Sequence, residues 1–439
     1  MDRTILDNLK KWRDKKNKKP LIIKGARQVG KTYIIREFAK ECYSDIVEIN
    51  FERDLDFINV FKTSHNPKDL LEYFQITFMD KNFDSNTLIF MDEIQACSDA
   101  LTSLKFLAED FPCDIICSGS ALGVAIANTT SYPVRYVETW EMYPMSFIEF
   151  LRAYGINEAI IDKIREAVIN LTPISEILHE KMNDLFKTYM LIGGMPEVVK
   201  TYLETKSLYE ALNIQRAIVD DYIKDMVKYA NNTDAMKIRE CFSSIPLQLA
   251  KENQKFQYSV VKKGYNARYY NNSLRWLEDS DLIIKVHRIS NIQYPLKGQV
   301  ELSVFKVFMA DVGLFISQLE DGDIRKIVAG EMGIYKGAIY ENIVAQILKS
   351  HHKSSYYFEP SQTSEIDFII EYRGEISPIE VKAGRNTASI SFKNFIHRYE
   401  PKYAFRFSQK NIGKDDANNV CYFPLYAIDF VLENEGRII

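Results

Sequence analysis

One segment constrains the fold more than any other, because it matches the phosphate-loop pattern G-x-x-x-x-G-K-[ST]. It consists of Gly25, Ala26, Arg27, Gln28, Val29, Gly30, Lys31 and Thr32. An apolar run at 21–23 precedes it and a helical pattern at 33–40 follows, which is the strand–loop–helix context that the motif requires. The backbone N–H groups of such a loop surround phosphate oxygens at a helix N-terminus. The segment therefore predicts an ATP site, with Lys31 on the β- and γ-phosphates and Thr32 on Mg²⁺.

A second apolar strand pattern, residues 87–92, ends in the two acids Asp92 and Glu93. The carboxyl ends of parallel strands meet at one edge of a sheet, beside the phosphate loop. We expect Asp92 to hold Mg²⁺ through water and Glu93 to polarise the water that attacks the γ-phosphate. The alternative is a strand that simply ends in a polar turn.

A third strand pattern, residues 114–117, ends in Ser118-Gly119-Ser120. We favour Ser118 over Ser120 as the side chain that senses the γ-phosphate; a turn-forming Ser-Gly pair is the alternative. Arg135 follows, and we consider it as a group that stabilises γ-phosphate charge in the same or a neighbouring subunit. A surface arginine is the competing interpretation of Arg135.

The chain of 439 residues has room for about three domains. Strand patterns alternate with helical patterns up to about residue 155, which predicts an α/β fold with a parallel sheet covered on both faces. Residues 156–225 have helical apolar spacing interrupted at Gly193–Gly194 and Pro196. The net charge of −4 gives no global sign of nucleic-acid binding but leaves local contacts open.

The cellular setting is predicted from what the sequence lacks. None of the six cysteines forms a C-x-x-C pair, which disfavours structural zinc. The first 20 residues have no apolar core like that of a secretory signal. No segment approaches the roughly 20 apolar residues of a membrane span. We expect a cytoplasmic protein with no membrane partner.

The motifs together resemble a large prokaryotic family of AAA-type ATPases, in which an N-terminal AAA module precedes a C-terminal domain of uncharacterised function. The matching segments are GARQVGKT at 25–32, INFE at 49–52, FMDEIQ at 90–95, SGSAL at 118–122, YPMSFIEFL at 143–151 and IGGMPEVV at 192–199. The resemblance covers essentially the whole chain and implies Mg²⁺-dependent ATP hydrolysis. Because AAA-type modules often assemble into oligomers, the resemblance also leaves a homo-oligomer as one possible state of this chain.

Residues 235–300 fit a winged-helix pattern, with helices predicted at 235–250, 257–262 and 266–278, and the strands predicted at 282–288 and 301–308 would form the wing. Basic and amide side chains lie in and before the third helix, as DNA contact requires. They are Lys262, Lys263, Arg268, Asn271, Asn272 and Arg275. Winged helices also serve as protein-interaction or lid modules, which is the alternative.

The C-terminal third places Glu341 on a predicted helix, Asp367 on a strand, and Glu380 and Lys382 on the next strand of a hairpin. Carboxylates in this arrangement can bind one or two Mg²⁺ ions, and Lys382 can orient a water or stabilise phosphorane charge. The set resembles the PD-(D/E)XK nuclease fold, with Ile366 in place of its proline. The alternatives are a surface E-V-K segment and a nuclease fold that has lost activity.

The predicted organisation is an ATPase core at 1–155, a helical lid at 156–230, a winged-helix-like module at 231–325 and a nuclease-like domain at 326–439. The predicted function is ATP hydrolysis that couples nucleotide state to DNA binding or processing. The alternative function is a nucleotide-dependent switch that binds a protein partner and carries an inactive nuclease fold.

Overall fold

The computed structural model describes residues 3–120, 123, 133–229, 232–252, 254–361, 363–384, 389–417 and 419–435. They form two compact units. The N-terminal unit comprises Met1–Tyr143 with Asp279–Asp281, and the C-terminal unit comprises Pro144–Glu278 with Leu282–Ile439. Among the described residues, no helix combines the length and the apolar character needed to cross a membrane.

The N-terminal unit contains a five-stranded parallel sheet with the strand order β2-β3-β4-β1-β5. Its strands are β1 (Leu21–Lys24), β2 (Asp45–Asn50), β3 (Thr87–Asp92), β4 (Asp114–Gly119) and β5 (Glu138–Glu141). Its helices are α1 (Thr4–Arg13), α2 (Lys31–Cys42), α3 (Asp56–Thr63), α4 (Pro67–Thr77) and α5 (Ser98–Asp110). The predicted parallel α/β core is confirmed, with β5 as an additional edge strand that the sequence patterns did not predict.

Both faces of this sheet are buried, as the continuous apolar runs predict. Ile89 and Met91 of β3 pack into a core with Phe61 of α3 and Phe74 of α4. Successive side chains of a strand point to opposite faces, and Phe90, which lies between Ile89 and Met91, is also fully buried. Because both faces are buried, the sheet is held in place, and so is the edge at which its strands end.

The C-terminal unit contains an eight-stranded mixed sheet with the order β12-β13-β11-β10-β9-β8-β6-β7. Its strands are β6 (Ile283–Ile289), β7 (Val300–Met309), β8 (Ser355–Ser361), β9 (Ser364–Tyr372), β10 (Glu375–Val381), β11 (Ala404–Ser408), β12 (Gly413–Asp415) and β13 (Val420–Pro424). The predicted wing hairpin, β6–β7, pairs through β6 with β8. The wing and the strands after residue 326 therefore belong to one sheet, and the predicted division at 325 does not separate two sheets.

Thirteen helices of the C-terminal unit are described. They are α6 (Phe147–Tyr154), α7 (Glu158–Ile169), α8 (Glu176–Ile192), α9 (Pro196–Thr205), α10 (Leu208–Tyr229), α11 (Asn232–Leu249), α12 (Tyr258–Val261), α13 (Ala267–Asp279), α14 (Val312–Ser317), α15 (Asp321–Val328), α16 (Tyr335–Ser350), α17 (Ile390–Tyr399) and α18 (Ile428–Glu433). The three helices predicted for the winged-helix pattern correspond to α11, α12 and α13. The other domain boundaries stay predictions.

The interruption predicted at Gly193–Gly194 lies between α8 and α9 and has a specific packing cause. A Cβ atom on Gly193, whose φ is 71°, would lie 2.1 Å from Oδ1 of Asp311. A Cβ atom on Gly194 would lie 2.3 Å from the carbonyl oxygen of Met145. The Gly194 N–H donates to Oδ2 of buried Asp311 at 2.7 Å, and Oδ1 accepts from the N–H of Leu314 at 3.0 Å. Asp311 thus joins the α8–α9 turn to the N-terminus of α14.

Candidate functional site

The phosphate loop joins the end of β1 to the start of α2, as predicted. Gly25 has a φ of 146°, and a Cβ atom there would lie 2.1 Å from the carbonyl oxygen of Met142. Gly30 has a φ of 95° and immediately precedes Lys31, the first residue of α2. Both positions require glycine, because an L side chain is strained at such φ values. The loop backbone is therefore shaped to curve in front of the α2 N-terminus, where phosphate is favoured.

Lys31 is buried, and its side chain folds back against the backbone of the phosphate loop. Its Nζ donates to the carbonyl oxygens of Gly25 and Ala26, each at 2.8 Å. Burial lowers the pKa of Lys31 to about 8, and the carboxylates of Glu93 and Asp92 partly oppose that shift. A nucleotide phosphate would give this ammonium a full negative charge as partner in place of two neutral carbonyls.

Asp92 lies at the end of β3 and is the centre of a hydrogen-bond network. Its Oδ2 accepts from Oγ1 of Thr32 at 3.1 Å and from Nδ2 of Asn50 at 3.2 Å. Its Oδ1 accepts from the hydroxyl of Ser118, which is fully buried. The structure thus brings Thr32, Asp92 and Ser118 together, and adds Asn50, which lay unassigned within the INFE segment. The hydroxyl of Ser118 donates a hydrogen bond to Asp92, and its predicted role at the γ-phosphate stays a prediction.

Glu93 follows β3 with a left-handed φ of 52°. Its Oε2 accepts from Nε2 of Gln95 and, at 3.3 Å, from Oγ of Ser120. The same Ser120 oxygen accepts from Nε of Arg27 at 3.1 Å, and Arg27 pairs with Glu52 at 3.4 Å. Glu93 is therefore oriented by a chain of groups that runs back to the phosphate loop, and Ser120 belongs to that chain.

Arg135 lies in an exposed turn before β5, with a φ of 75°. Its carbonyl oxygen accepts from Nζ of Lys19. The prediction that its guanidinium reaches a nucleotide remains untested. Within the neighbouring SGSAL segment, Ala121 and Leu122 lie outside the described residues.

The predicted DNA-contact residues of α13 share one exposed face of that helix. They are Arg268, Asn271, Asn272 and Arg275, at helical spacings of three and four residues. The opposite face carries Tyr270, Leu274 and Leu277, all buried. Lys262 and Lys263 precede α13 and are also exposed. The arrangement provides a polar strip of the kind that a groove-binding helix presents.

The predicted C-terminal site gathers at the β9–β10 hairpin, which turns at Arg373–Gly374 as the sequence indicated. Asp367 Oδ2 accepts from the backbone N–H of Val381 at 2.7 Å, and Nζ of Lys382 lies 2.6 Å from Oε1 of Glu380. The pKa of Asp367 is raised well above its usual value by burial and by the charges of Glu380 and Glu341. The structure thus brings together all four residues predicted for this site.

Two further residues belong to this cluster and were missed from the sequence. Lys306 of β7 is buried, with Nζ 2.9 Å from Oε2 of Glu341 and 2.6 Å from Oε1 of Glu365. Glu341, Glu365 and Asp367 each offer an oxygen, and these oxygens lie within 4.8 Å of one another. Two sequence features could have identified these residues. Lys306 is a charged residue within the apolar run of β7, and Glu365 is an acid two positions before Asp367, on the same face of the strand.

The donor set fits a divalent cation. Among the described residues, Oε2 of Glu380 has no hydrogen-bond partner, and Glu380 is only 2% exposed. A buried charged oxygen without a partner is costly unless something compensates it. Carboxylate oxygens are the ligands that Mg²⁺ and Mn²⁺ prefer. We refer to Glu341, Glu365, Asp367 and Glu380 as the carboxylate cluster.

Three family models match separate parts of the chain. Residues 17–151 match an AAA domain, and residues 183–323 and 336–426 match two domains of unknown function, DUF8612 and DUF4143. No curated protein matches the chain. Together with the phosphate-loop geometry, the first match identifies residues 17–151 as an AAA-type ATPase domain that binds nucleotide.

Three solved structures show low similarity. A Walker-type ATPase of Pyrococcus abyssi is 14% identical, with 72% of this chain and 95% of that chain covered and a TM-score of 0.45. The Aeropyrum pernix ORC1 protein in complex with DNA is 10% identical, with 74% and 92% covered and a TM-score of 0.29. A signal-transduction ATPase of Pyrococcus horikoshii with a tetratricopeptide repeat sensor is 16% identical, with 80% and 45% covered and a TM-score of 0.27. These scores are too low to support a functional argument.

Proposed function

We propose that the chain hydrolyses ATP with Mg²⁺ and uses its nucleotide state to control DNA binding and processing by the C-terminal unit. The observation that carries the ATPase part is the hydrogen bond between Thr32 and Asp92, with Glu93 oriented beside it. These three side chains come from two different elements, α2 and the end of β3, and meet at the edge of the parallel sheet.

Each residue has a distinct role in the proposed hydrolysis. The loop N–H groups and the Lys31 ammonium bind the phosphates, and Thr32 and Asp92 would hold Mg²⁺, which neutralises phosphate charge. Asn50 and Ser118 fix the carboxylate of Asp92 through their hydrogen bonds. Glu93 accepts hydrogen bonds from Gln95 and Ser120, so its carboxylate is positioned to orient the attacking water. Arg135 remains a candidate for charge stabilisation, within one chain or across a homo-oligomer.

The proposed DNA contact is supported by the exposed polar strip of α13. We expect the double variant Arg268→Ala/Arg275→Ala to weaken duplex DNA binding and to lower the slope of log affinity against log salt by about 2, because two phosphate contacts are lost. Fluorescence anisotropy at several salt concentrations measures both quantities. Lys200→Ala/Lys224→Ala removes two exposed lysines from other helices and serves as the control. A salt-independent affinity of the wild-type chain would contradict DNA contact.

The proposed processing activity is metal-dependent cleavage of DNA at the carboxylate cluster. Lys382 lies beside Glu380 and would stabilise the charge that develops on a scissile phosphate. A bound Mg²⁺ would lower the pKa of a water that attacks this phosphate. We expect Mg²⁺- or Mn²⁺-dependent plasmid nicking by the wild type, and a loss of about 100-fold or more in Asp367→Ala and Lys382→Ala. Gel electrophoresis of supercoiled plasmid measures this rate.

The matched control is Glu371→Ala, because Glu371 is an exposed acid on the same strand as Asp367. This variant should nick plasmid like the wild type. Equal nicking by Asp367→Ala and Lys382→Ala would show contamination and remove the cleavage proposal.

The second candidate function is a nucleotide-dependent switch that binds a protein partner and has an inactive nuclease fold. The observation that favours it is the ion pairing of Glu341 and Glu365 with buried Lys306, which already satisfies part of the proposed metal site. Absence of nicking together with salt-independent DNA affinity would select this function. A cytoplasmic location is proposed for either function.

A further inference from the structure

Formal charge in the C-terminal site is unbalanced. With all four acids of the carboxylate cluster ionised, two ammonium groups, Lys306 and Lys382, oppose their charge and leave a net charge of −2. The adjacent ion pairs do not supply the missing charge. Arg288 and Lys255 there pair with Glu301 and Glu359, and these four residues are neutral together. One divalent cation would balance the cluster.

The two ammonium groups differ in burial. Lys306 is 2% exposed, and its Nζ is bonded to two carboxylates and lies 5.3 Å from the ring centroid of Tyr357. The Lys382 side chain is 33% exposed, and its Nζ lies 2.6 Å from Oε1 of Glu380. Lys306 is therefore part of the packed interior, whereas Lys382 reaches the surface of the site.

We infer that Lys306 is a resident cation that takes the place of one metal ion, so that the carboxylate cluster binds a single divalent cation. The ammonium lies between Glu341 and Glu365, which are the ligands that a second ion would need. The metal binds at Asp367 and Glu380, where Oε2 of Glu380 has no hydrogen-bond partner in the part of the chain that the structure describes. Lys306 acts through these carboxylates and is a positioning residue.

This inference rests on the metal site of the proposed function, and its test measures binding and not cleavage. Mn²⁺ is titrated into the full-length, nucleotide-free chain carrying Asp92→Asn, which weakens the phosphate-loop metal site, and free Mn²⁺ is followed by electron paramagnetic resonance. We expect one Mn²⁺ per chain. Asp367→Asn should abolish this binding, since it removes a ligand of the single ion.

The decisive variant is Lys306→Met, which keeps the length of the side chain and removes its charge. We expect it to bind two Mn²⁺ ions, because Glu341 and Glu365 become free to bind the second. Lys306→Arg keeps the charge and should bind one. If Lys306→Met does not fold, Lys306→Met/Glu365→Gln restores the net charge of −2 and should bind one ion.

Two results would overturn the inference. The first is two Mn²⁺ ions, or none, in the Asp92→Asn chain that keeps Lys306. The second is one ion in a folded Lys306→Met protein, or two in Lys306→Met/Glu365→Gln. A protein that binds one Mn²⁺ as expected but does not nick DNA would support the role of Lys306 as a resident cation and would contradict only the cleavage proposal.

Discussion

Replacing Lys31 with alanine should abolish ATP turnover and weaken ATP binding by about 100-fold or more. The side chain supplies charged hydrogen bonds to phosphate, each worth roughly 1.5–3 kcal/mol. Among the described residues, its Nζ donates hydrogen bonds only within the loop, to the carbonyl oxygens of Gly25 and Ala26. Its removal also takes a positive charge away from the carboxylates of Asp92 and Glu93. Isothermal titration calorimetry and phosphate release measure the two effects.

Two matched variants separate binding from chemistry. Lys40→Ala lies on the same helix, at an exposed position of its last turn, and should leave both measurements unchanged. Glu93→Gln should keep ATP binding and lower turnover by roughly 10²- to 10⁴-fold, the usual contribution of a positioned base. Wild-type phosphate release by purified Lys31→Ala would show that the loop does not hold the hydrolysed nucleotide.

Replacing Asp311 with alanine should destabilise the C-terminal unit by about 3 kcal/mol, because two buried N–H groups lose their acceptor. These are the N–H groups of Gly194 and Leu314, which belong to separate segments of the chain. The loss includes the N-cap of α14, worth about 1 kcal/mol by itself. Urea unfolding followed by circular dichroism measures the change. Asp416→Ala, at a side chain that is 84% exposed, is the control and should change little.

The Asp311 carboxylate also makes the free energy of unfolding depend on pH, in a direction that its pKa defines. Burial raises the pKa of Asp311 to about 6, although the N–H donors oppose the shift. A folded-state pKa above the unfolded value means that this contribution to stability is complete below about pH 4 and is lost as pH rises through about 6. The free energy of unfolding of Asp311→Asn should lack this component. Identical pH profiles for the wild type and Asp311→Asn would contradict it.

The sequence allowed the phosphate loop, the β3 acids and the β9–β10 hairpin to be predicted because each depends on contiguous residues. A loop flanked by a strand and a helix has few possible geometries, and a two-residue turn such as Arg373–Gly374 sets the register of its strands. The strands predicted at 282–288 and 301–308 from apolar runs likewise correspond to β6 and β7.

The rest depended on pairings between distant segments. Lys306 of β7 meets Glu365 of β9 across the strand order β9-β8-β6-β7, and the sequence around Lys306 shows only a charge in an apolar strand. Asn50 reaches Asp92 because β2 neighbours β3 in the sheet, which is a matter of strand order. The helices α14 and α15 are short, with six and eight residues, and give weak periodic signals.

The pairing of β6 with β8 has a consequence for any DNA bound by this chain. The wing hairpin and the strands that carry Asp367 and Glu380 share one continuous hydrogen-bonded sheet, so they cannot move as separate bodies without breaking strand pairs. If the wing hairpin contacts a duplex, the distance from that contact to the carboxylate cluster is set by the strand pairing between them. If the carboxylate cluster also cleaves DNA as proposed, its cuts would fall at a fixed number of base pairs from the site of wing contact.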